Sequence, residues 1–370
     1  MIDFIIDVLG DLVFEGTKAG AKKINRSVKS AKLRKKIEEA ADIIKNGGLV
    51  AFPTETVYGL GADAFNSRAV ERIYAAKGRP SDNPLILHVA DIKQFLELVE
   101  PPPDYALALA KAYWPGPLTL IAKKKYHIPE WVGGHPQKST ATIGVRVPNH
   151  PIALALITAA GCPIAAPSAN KSGRPSPTSA AHVAEDFSAN SEIDIVLDGA
   201  ISNVGLESTV VDVTGDFPVI LRPGAITKEM ILKTTGLQPS EATVTDAPRS
   251  PGIKYKHYAP KAQVIILKGE PGSIAEYILK ECKANAEQKI GVLVTAPTKS
   301  ILDKNALPNM KVITLGNGHE AMAKNLFSNL RQFDKLGVSV IFAESVQFSG
   351  LGIAIMDRML KAAEGNVFNV

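Results

Sequence analysis

The segment LVAFPTETVYGLGADA, residues 49 to 64, predicts how the fold begins. Its first four residues are apolar and predict a short buried strand, which a hydroxyl-rich turn and two glycines follow. The spacing Gly59-x-Gly61-x-x-Ala64 nominally matches a dinucleotide fingerprint. However, these glycines do not clearly form the turn into a helix, and no acid follows a second strand about 20 residues later. We therefore reject a dinucleotide-binding turn at this position.

Similar apolar runs recur through the rest of the chain and are separated by helical patterns. A break at residues 237–262, rich in Pro, Thr, Ser and Gly, divides them into two α/β domains at 35–236 and 263–370. The β-branched runs after the break alternate with helical patterns, which predicts a small doubly wound, Rossmann-like parallel sheet. The segment 351–363 predicts a final core helix. The runs that predict strands are LVAF, PLILHV, LTLIAK, TIGVRV, PIAAP, 208–213 and 218–221 before the break, and AQVIIL, KIGVLV, KVITL and VSVIFA after it.

Residues 1–34 predict an N-terminal appendage. Acids at Asp3, Asp7, Asp11 and Glu15 recur every four residues in an apolar stretch, which predicts an amphipathic helix and not a signal peptide. Residues 18–36 carry nine Lys or Arg and no acid. A solvated helix docked on the body is the simplest interpretation, and contact with a membrane surface or RNA is the alternative.

The composition is that of an ordinary globular protein with a mild excess of positive charge. The chain of 370 residues has a formal net charge of +5 and is 45% hydrophobic. No run reaches the roughly 18 apolar residues that a membrane span needs. The two cysteines have no metal-ligand spacing, so we expect no zinc site and a cytoplasmic protein.

Four clusters of cationic and hydroxyl side chains predict a site for anions. Lys77 and Arg79 follow a predicted helix and precede Asn83 and a buried strand with His88. The alternatives are a solvated helix end for Lys77 and Arg79 and a core histidine for His88. Arg146 lies within an apolar strand and needs an anionic partner, either a substrate carboxylate or a protein carboxylate. The remaining hydroxyl and cationic residues are Thr54 and Thr56, the turn at Ser168-Ala169-Asn170, and the pair Ser208 and Arg222.

These clusters include no activated nucleophile. No Ser-His-Asp order, paired carboxylates, Walker A motif or kinase signature is evident. Side chains that can bind phosphate and carboxylate groups, without a nucleophile, favour phosphoryl or nucleotidyl transfer. In these reactions positioning and charge stabilisation provide most of the catalysis.

The break itself contains RSPGIKYKHYAP, residues 249 to 260. A flexible spacer would be rich in Gly and Ser or simply charged, whereas this segment groups Lys254, Tyr255, Lys256, His257 and Tyr258 without an acid nearby. A long linker without secondary structure of its own is usually functional or disordered. The aromatic and basic residues favour function.

In this order and spacing, PTETVYGLGADA, KGRPSDNPLILHV, TIGVRVPNHP, PIAAPSAN, STVVD and ILRPG resemble the YrdC-type domain. With SPGIKYKHYAP and a second α/β domain, residues 35 to 367 resemble the two-domain threonylcarbamoyl-AMP synthase family. The resemblance implies a YrdC-like twisted mixed sheet with a concave basic face. It also implies conversion of L-threonine, bicarbonate and ATP to L-threonylcarbamoyladenylate and pyrophosphate. This product is used to form N6-threonylcarbamoyladenosine beside the anticodon of tRNA.

The resemblance also implies roles for matching residues. The threonine site would contain Thr56, His88, Arg146, Ala166 and Ser208. The ATP site would contain Lys77, Arg79, Asn83, Thr142, Ser168, Asn170, Ser176, Arg222, Tyr255 and Tyr258, of which Lys77 and Arg79 would be catalytic. Mg²⁺ would arrive on the triphosphate without a protein metal site, and the linker would close over the nucleotide as a lid.

The expected partners follow from that reaction. They are the three substrates, a second enzyme that transfers the threonylcarbamoyl group, and weak contact with tRNA, with no membrane span. One alternative is an RNA-binding module of the YrdC type without turnover, although the tyrosines cluster in the linker and not on a sheet face. The other is a carbamoyl-adenylate enzyme of the hydrogenase-maturation type, which would need zinc-finger cysteines that this chain lacks.

Overall fold

The computed structural model describes residues 31–138, 140–187, 192–241 and 257–370. The predicted appendage up to residue 30 and Tyr255 of the linker lie outside these ranges. In the described part, no helix is both long and apolar enough to cross a bilayer.

A ten-stranded mixed sheet forms the first part of the fold. Its strands are ordered β10-β9-β8-β4-β5-β3-β6-β2-β1-β7. The strands are β1 (Val50–Phe52), β2 (Gly59–Asp63), β3 (Ile86–His88), β4 (Leu118–Lys123), β5 (Thr142–Arg146), β6 (Ile164–Ala165), β7 (Ile195–Val196), β8 (Thr209–Asp212), β9 (Val219–Arg222) and β10 (Ser240–Glu241). The helices are α1 (Ala31–Lys45), α2 (Ser67–Lys77), α3 (Ile92–Leu98), α4 (Asp104–Tyr113), α5 (Pro151–Ala160), α6 (Ala180–Phe187) and α7 (Lys228–Thr235).

The alternation of side chains along β1 shows how helices cover both faces of this sheet. Val50 and Phe52 belong to the core that α1 and α5 form, whereas Ala51 belongs to the core with α2, α3 and α4. Successive residues of a strand point to opposite faces, so a strand that is buried on both faces is apolar throughout. The continuous apolar run LVAF therefore predicted β1 correctly.

Strand β2 was not predicted, because it consists of the glycine-containing segment GLGAD. A Cβ atom on Gly61 would lie 2.6 Å from Ile164 Cγ2 and 2.7 Å from Phe52 Cε1. The glycine thus allows β1 and β6 to pack closely around β2. This packing role agrees with our rejection of a dinucleotide-binding turn.

A five-stranded parallel sheet of order β13-β12-β14-β11-β15 forms the second part. Its strands are β11 (Gln263–Lys268), β12 (Ile290–Val294), β13 (Met310–Thr314), β14 (Val340–Glu344) and β15 (Val367–Asn369). Its helices are α8 (Pro271–Ala284), α9 (Ala296–Asp303), α10 (Gly318–Leu336) and α11 (Leu351–Ala362). Helices α8 and α9 pack on one face, and α10 and α11 pack on the other, as the doubly wound prediction requires. The last strand, β15, was not predicted.

The two parts are in close contact through α10 and α11. Gly205 has φ +79° and lies against the backbone of α10, where an added Cβ would be 2.4 Å from Lys324 Cα. Val57 and Leu206 of the first part are buried in the same apolar cluster as Phe327 of the second. Within the predicted linker, β10 pairs with β9, so this segment does contain a short strand, contrary to our expectation.

Candidate functional site

A narrow cleft opens where β2, β3, β5 and β8 meet the end of the linker. Its lining includes nine of the predicted site residues. They are Thr56, His88, Arg146, Ala166 and Ser208 from the predicted threonine site, and Arg79, Ser168, Arg222 and Tyr258 from the predicted ATP site. A wider, more open hollow lies along α1 and contains none of them.

Strand pairing places His88 and Arg146 side by side. They are partners in the parallel pair β3–β5, so their side chains project from the same face of the sheet. Burial and the neighbouring Arg146 lower the pKa of His88 to about 3, so the imidazole is neutral at pH 7. Its Nδ1 is buried and has no hydrogen-bond partner in the described part of the chain. This imidazole is therefore suited to packing against a ligand and not to carrying a charge.

Arg146 is held by a relay of hydroxyl groups. Its Nη1 donates to Thr56 Oγ1 at 2.8 Å, Thr56 lies 2.8 Å from Thr54 Oγ1, and Thr54 donates to the carbonyl of Val57 at 2.6 Å. Because each hydroxyl has one proton, these bonds run in one direction from the guanidinium to Val57. Thr54 therefore closes the turn, while Thr56 orients the arginine.

The anionic partner that Arg146 needs is a protein carboxylate in this structure. Arg146 Nη2 lies 2.7 Å from Glu55 Oε1, and both side chains are more than nine-tenths buried. The contact is a close ion pair whose angles do not meet those of a hydrogen bond. Sequence reasoning missed Glu55, although it lies between the two threonines that it singled out.

Ser208 and Arg222 come together at the start of β8. Arg222 donates from Nε to the Ser208 carbonyl and from Nη2 to Ser208 Oγ, both at 3.1 Å. Ser208 Oγ also lies 2.8 Å from Thr119 Oγ1 on β4. The antiparallel pairing of β8 with β9 brings Arg222 opposite Val210, and the arginine is thereby fixed beside the serine.

Arg79 lies just after α2, which ends at Gly78 in the left-handed conformation with φ 62°. Its Nε donates to the Asn83 carbonyl at 3.1 Å, and its Nη2 donates to the Pro84 carbonyl at 2.7 Å. Burial lowers the pKa of Arg79 to about 10, which still leaves it cationic at pH 7. Asn83 thus contributes its backbone to the site and does not itself line the cleft.

Lys77 is buried behind the turn at Ser168 and does not line the cleft. Its ammonium donates to the carbonyl oxygens of Ser168 and Asn170. Burial, reinforced by the nearby Arg79, holds the pKa of Lys77 well below its usual range. Asn170 in turn accepts a hydrogen bond from Ser168 Oγ. Lys77 and Asn170 therefore support the turn that presents Ser168.

Three further predicted residues complete the set. Ser176 is buried and donates to Glu207, which lines the cleft. Thr142 begins β5 and does not line the cleft, but it shares a strand face with Arg146 four residues later. Tyr258 has φ 64°, lines the cleft and stacks on Phe327 of α10 with ring centroids 5.2 Å apart.

Comparisons with known proteins identify relatives over most of the chain. A family model described as Telomere recombination (Sua5, YciO and YrdC) matches residues 42–224, and one described as the threonylcarbamoyl-AMP synthase C-terminal domain matches residues 226–364. The threonylcarbamoyl-AMP synthase of Pyrococcus abyssi is 44% identical over 91% of this chain and 98% of its own length. That of Bacillus subtilis is 45% identical over 90% and 94%.

A solved structure shows the same similarity in three dimensions. The crystal structure of P. abyssi Sua5 complexed with L-threonine has a TM-score of 0.82 and 44% identity, covering 91% of this chain and 96% of that one. Similarity of this extent covers both sheets and the helices that join them. The chain therefore belongs to the threonylcarbamoyl-AMP synthase family, with both the YrdC-type domain and the C-terminal domain of its two-domain members.

Proposed function

We propose that the cleft joins L-threonine, bicarbonate and ATP into L-threonylcarbamoyladenylate, with release of pyrophosphate and water. The chain would thus be a nucleotidyltransferase of the tRNA-modifying family to which it belongs. The observation that carries the proposal is the presence of Arg146, Arg79 and Arg222 in the lining of one cleft. One cation suits an amino-acid carboxylate, and two suit a polyphosphate.

Arg146 would hold the carboxylate of threonine. It is fixed by Thr56 and by the Gly116 carbonyl, 3.2 Å from its Nε, so little side-chain freedom remains to be lost on binding. His88, neutral at pH 7, would pack against the amino acid without repelling Arg146 or the substrate amine. Ser208 would offer its hydroxyl to the substrate.

At the other end, the site would promote attack at the α-phosphorus of ATP. The threonine amine first adds to bicarbonate, which loses water to give a carbamate. A carbamate oxygen then forms a bond to the α-phosphorus while the bond to the pyrophosphate oxygen breaks. Arg79, with Lys77 behind the Ser168 turn, would stabilise the charge that builds on the phosphates.

This mechanism does not require a side-chain nucleophile. Among the described serine and threonine residues that line the cleft, none has a hydrogen bond to a histidine or carboxylate that could activate it. The bonds instead join them to arginine, amide or other hydroxyl groups. These groups can position a substrate, which is the main requirement of the proposed transfer.

Mg²⁺ would enter with the triphosphate. In the described part of the chain, no three His, Cys, Asp or Glu side chains are grouped to hold a metal ion. Glu207 is the one carboxylate in the described lining, and it is already paired with Arg358 and Ser176. Phosphate oxygens and water would therefore be the ligands of the ion, as Mg²⁺ prefers.

The last part of the linker would shield the product. Tyr258 lines the cleft and is anchored by its stacking on Phe327. In this proposal it would contact the nucleotide and exclude water from a labile mixed anhydride. Tyr255 would act beside it. The adenylate would pass in the cytoplasm to a second enzyme that modifies tRNA, and any direct contact with tRNA would be weak.

Pyrophosphate release from ATP tests the proposal directly. L-threonine and bicarbonate are added to the pure protein singly and together. We expect release only when both are present, with equal amounts of the adenylate measured by mass spectrometry. Release that needs neither substrate, or no release beside tight tRNA binding, would contradict the proposal. The names of the relatives do not support the second outcome, an RNA-binding module without turnover.

A further inference from the structure

A buried arginine of the second sheet's domain reaches the lining of the cleft. Arg358, on α11, is fully buried, and its Nε donates to Glu207 Oε2 at 3.0 Å. Its Nη1 donates to the Pro223 carbonyl at 2.8 Å, next to Arg222. The guanidinium also lies over the Tyr258 ring, 5.8 Å from its centroid. Arg358 therefore contacts three segments that border the nucleotide end of the cleft.

Its partner Glu207 is an unusual residue for a site that would receive a polyanion. Glu207 is 7% exposed and lines the same cleft as Arg222 and Arg79. A bare carboxylate there would repel phosphate groups and compete with them for the arginines. Burial raises the pKa of Glu207, but Arg358 and Arg222 more than offset this and keep it below its usual value. The carboxylate is thus charged at pH 7 and needs a cation.

We infer that Arg358 is a positioning residue, supplied by the C-terminal domain, that neutralises Glu207 and so lowers the repulsion between this carboxylate and the phosphates of a nucleotide in the cleft. The inference rests on the proposed function for the identity of the anion. Glu207 also accepts a hydrogen bond from the Ser176 hydroxyl, so the carboxylate that Arg358 pairs with also holds a second predicted ATP-site residue in place. The C-terminal domain would in this way set the charge of a site in the other domain.

A double-mutant comparison tests this role. The variants are Arg358→Met, Glu207→Gln and the two together, and the readouts are KM for ATP, KM for threonine, kcat and the melting temperature. For Arg358→Met we expect KM for ATP to rise about tenfold and KM for threonine to stay within about twofold. Adding Glu207→Gln should bring KM for ATP back to within about threefold of the original, because the repelling charge is gone.

Arg331 provides the matched control. It is a fully buried arginine on α10 and pairs with Asp186 of the first domain at 3.0 Å, but it does not line the cleft. Arg331→Met should lower the melting temperature and leave KM for ATP within about twofold. A tenfold rise in KM for ATP in this control would mean that domain docking in general, and not the charge of Glu207, controls nucleotide binding.

Several outcomes would overturn the inference. One is a double variant that binds ATP as poorly as Arg358→Met, and another is an equal rise of both KM values. If Arg358→Met does not fold, Glu207→Gln alone decides, because it should bind ATP at least as tightly as the original protein. A tenfold weaker affinity there would refute the role. Failure of the proposed function is distinguishable, since the unaltered protein would then release no pyrophosphate with threonine and bicarbonate.

Discussion

Replacing Arg146 with methionine should have two separable effects, one on stability and one on threonine binding. Arg146 and Glu55 form an ion pair of 2.7 Å with side-chain exposures of 4% and 8%. Methionine preserves much of the length of the arginine stem but removes the charge. Glu55 would remain as a buried carboxylate without a cation. We therefore expect both a less stable fold and a weaker threonine site.

The size of each effect follows from the contacts. Removing one partner of a buried ion pair costs about 3–5 kcal/mol of the free energy of unfolding. Loss of the hydrogen bonds from a guanidinium to a carboxylate costs about 1.5–3 kcal/mol each. For threonine this corresponds to a rise in KM of about 100-fold. KM for ATP should change by less than about threefold, because Arg79 and Arg222 are untouched.

A second substitution separates the two effects. Glu55→Gln in the Arg146→Met background removes the unpaired charge, so most of the lost stability should return. The affinity for threonine should not return, because the cation is still missing. Glu55→Gln alone serves as the control, with KM for threonine unchanged or lower. Urea unfolding measures stability, and pyrophosphate release with varied threonine gives KM.

Recovery of threonine binding in the double variant would refute this reasoning, because the carboxylate of threonine could not then depend on Arg146. An equal loss of affinity for ATP and threonine would refute it as well, since it would indicate general damage to the cleft. If Arg146→Met alone is too unstable to assay, the double variant still provides both measurements.

Further predictions concern Lys77, His88 and the linker tyrosines. Lys77→Met should lower kcat by about 10²–10³-fold. Because burial holds the pKa of Lys77 below its usual range, the activity of the original protein should begin to fall at a lower alkaline pH than an ordinary lysine would give. If the alkaline limb of the pH profile does not move in Lys77→Arg, Lys77 does not have this role. His88 has a pKa of about 3 when folded and 6.5 when unfolded, so only the unfolded chain takes up its proton as the pH falls from 6.5 towards 3. That difference should lower the free energy of unfolding by about 2 kcal/mol at pH 5 relative to pH 7.5. His88→Gln should abolish this loss, and urea unfolding at the two pH values measures it. Replacing Tyr255 and Tyr258 together by alanine should lower the yield of intact adenylate more than the affinity for ATP, and an unchanged yield would contradict a lid.

The sequence predicted most strands because their apolar runs are local. Strands buried on both faces need apolar residues at every position, and β1 and β12 have this pattern. Strand β2 was not predicted because Gly61 is required by close packing against Ile164, which lies 103 residues later in the sequence. Strand β15 was not predicted from the sequence, because its strand structure depends on its pairing with β11.

The candidate site was predicted unevenly for a similar reason. The motifs named most of the cationic and hydroxyl residues, since residue type and spacing are visible in the chain. They did not show that Lys77 lies behind the Ser168 turn or that Ser176 reaches the cleft only through Glu207. Two acids were not recognised, although Glu55 lies inside PTETVYGLGADA and Glu207 directly precedes STVVD. An acid within a cluster of anion-binding residues is the signal that could have drawn attention to Glu55 and Glu207.

By itself, then, the sequence determined the two α/β parts, their family and the types of side chain at the site, because these depend on local patterns. Only the tertiary structure decided which charges are paired. Glu207 meets Arg358 across 151 residues of chain, and Arg146 meets Glu55 because a strand and a distant turn fold together. An ion pair depends on distances of a few ångströms, and folding alone sets the distance between residues so far apart in the chain.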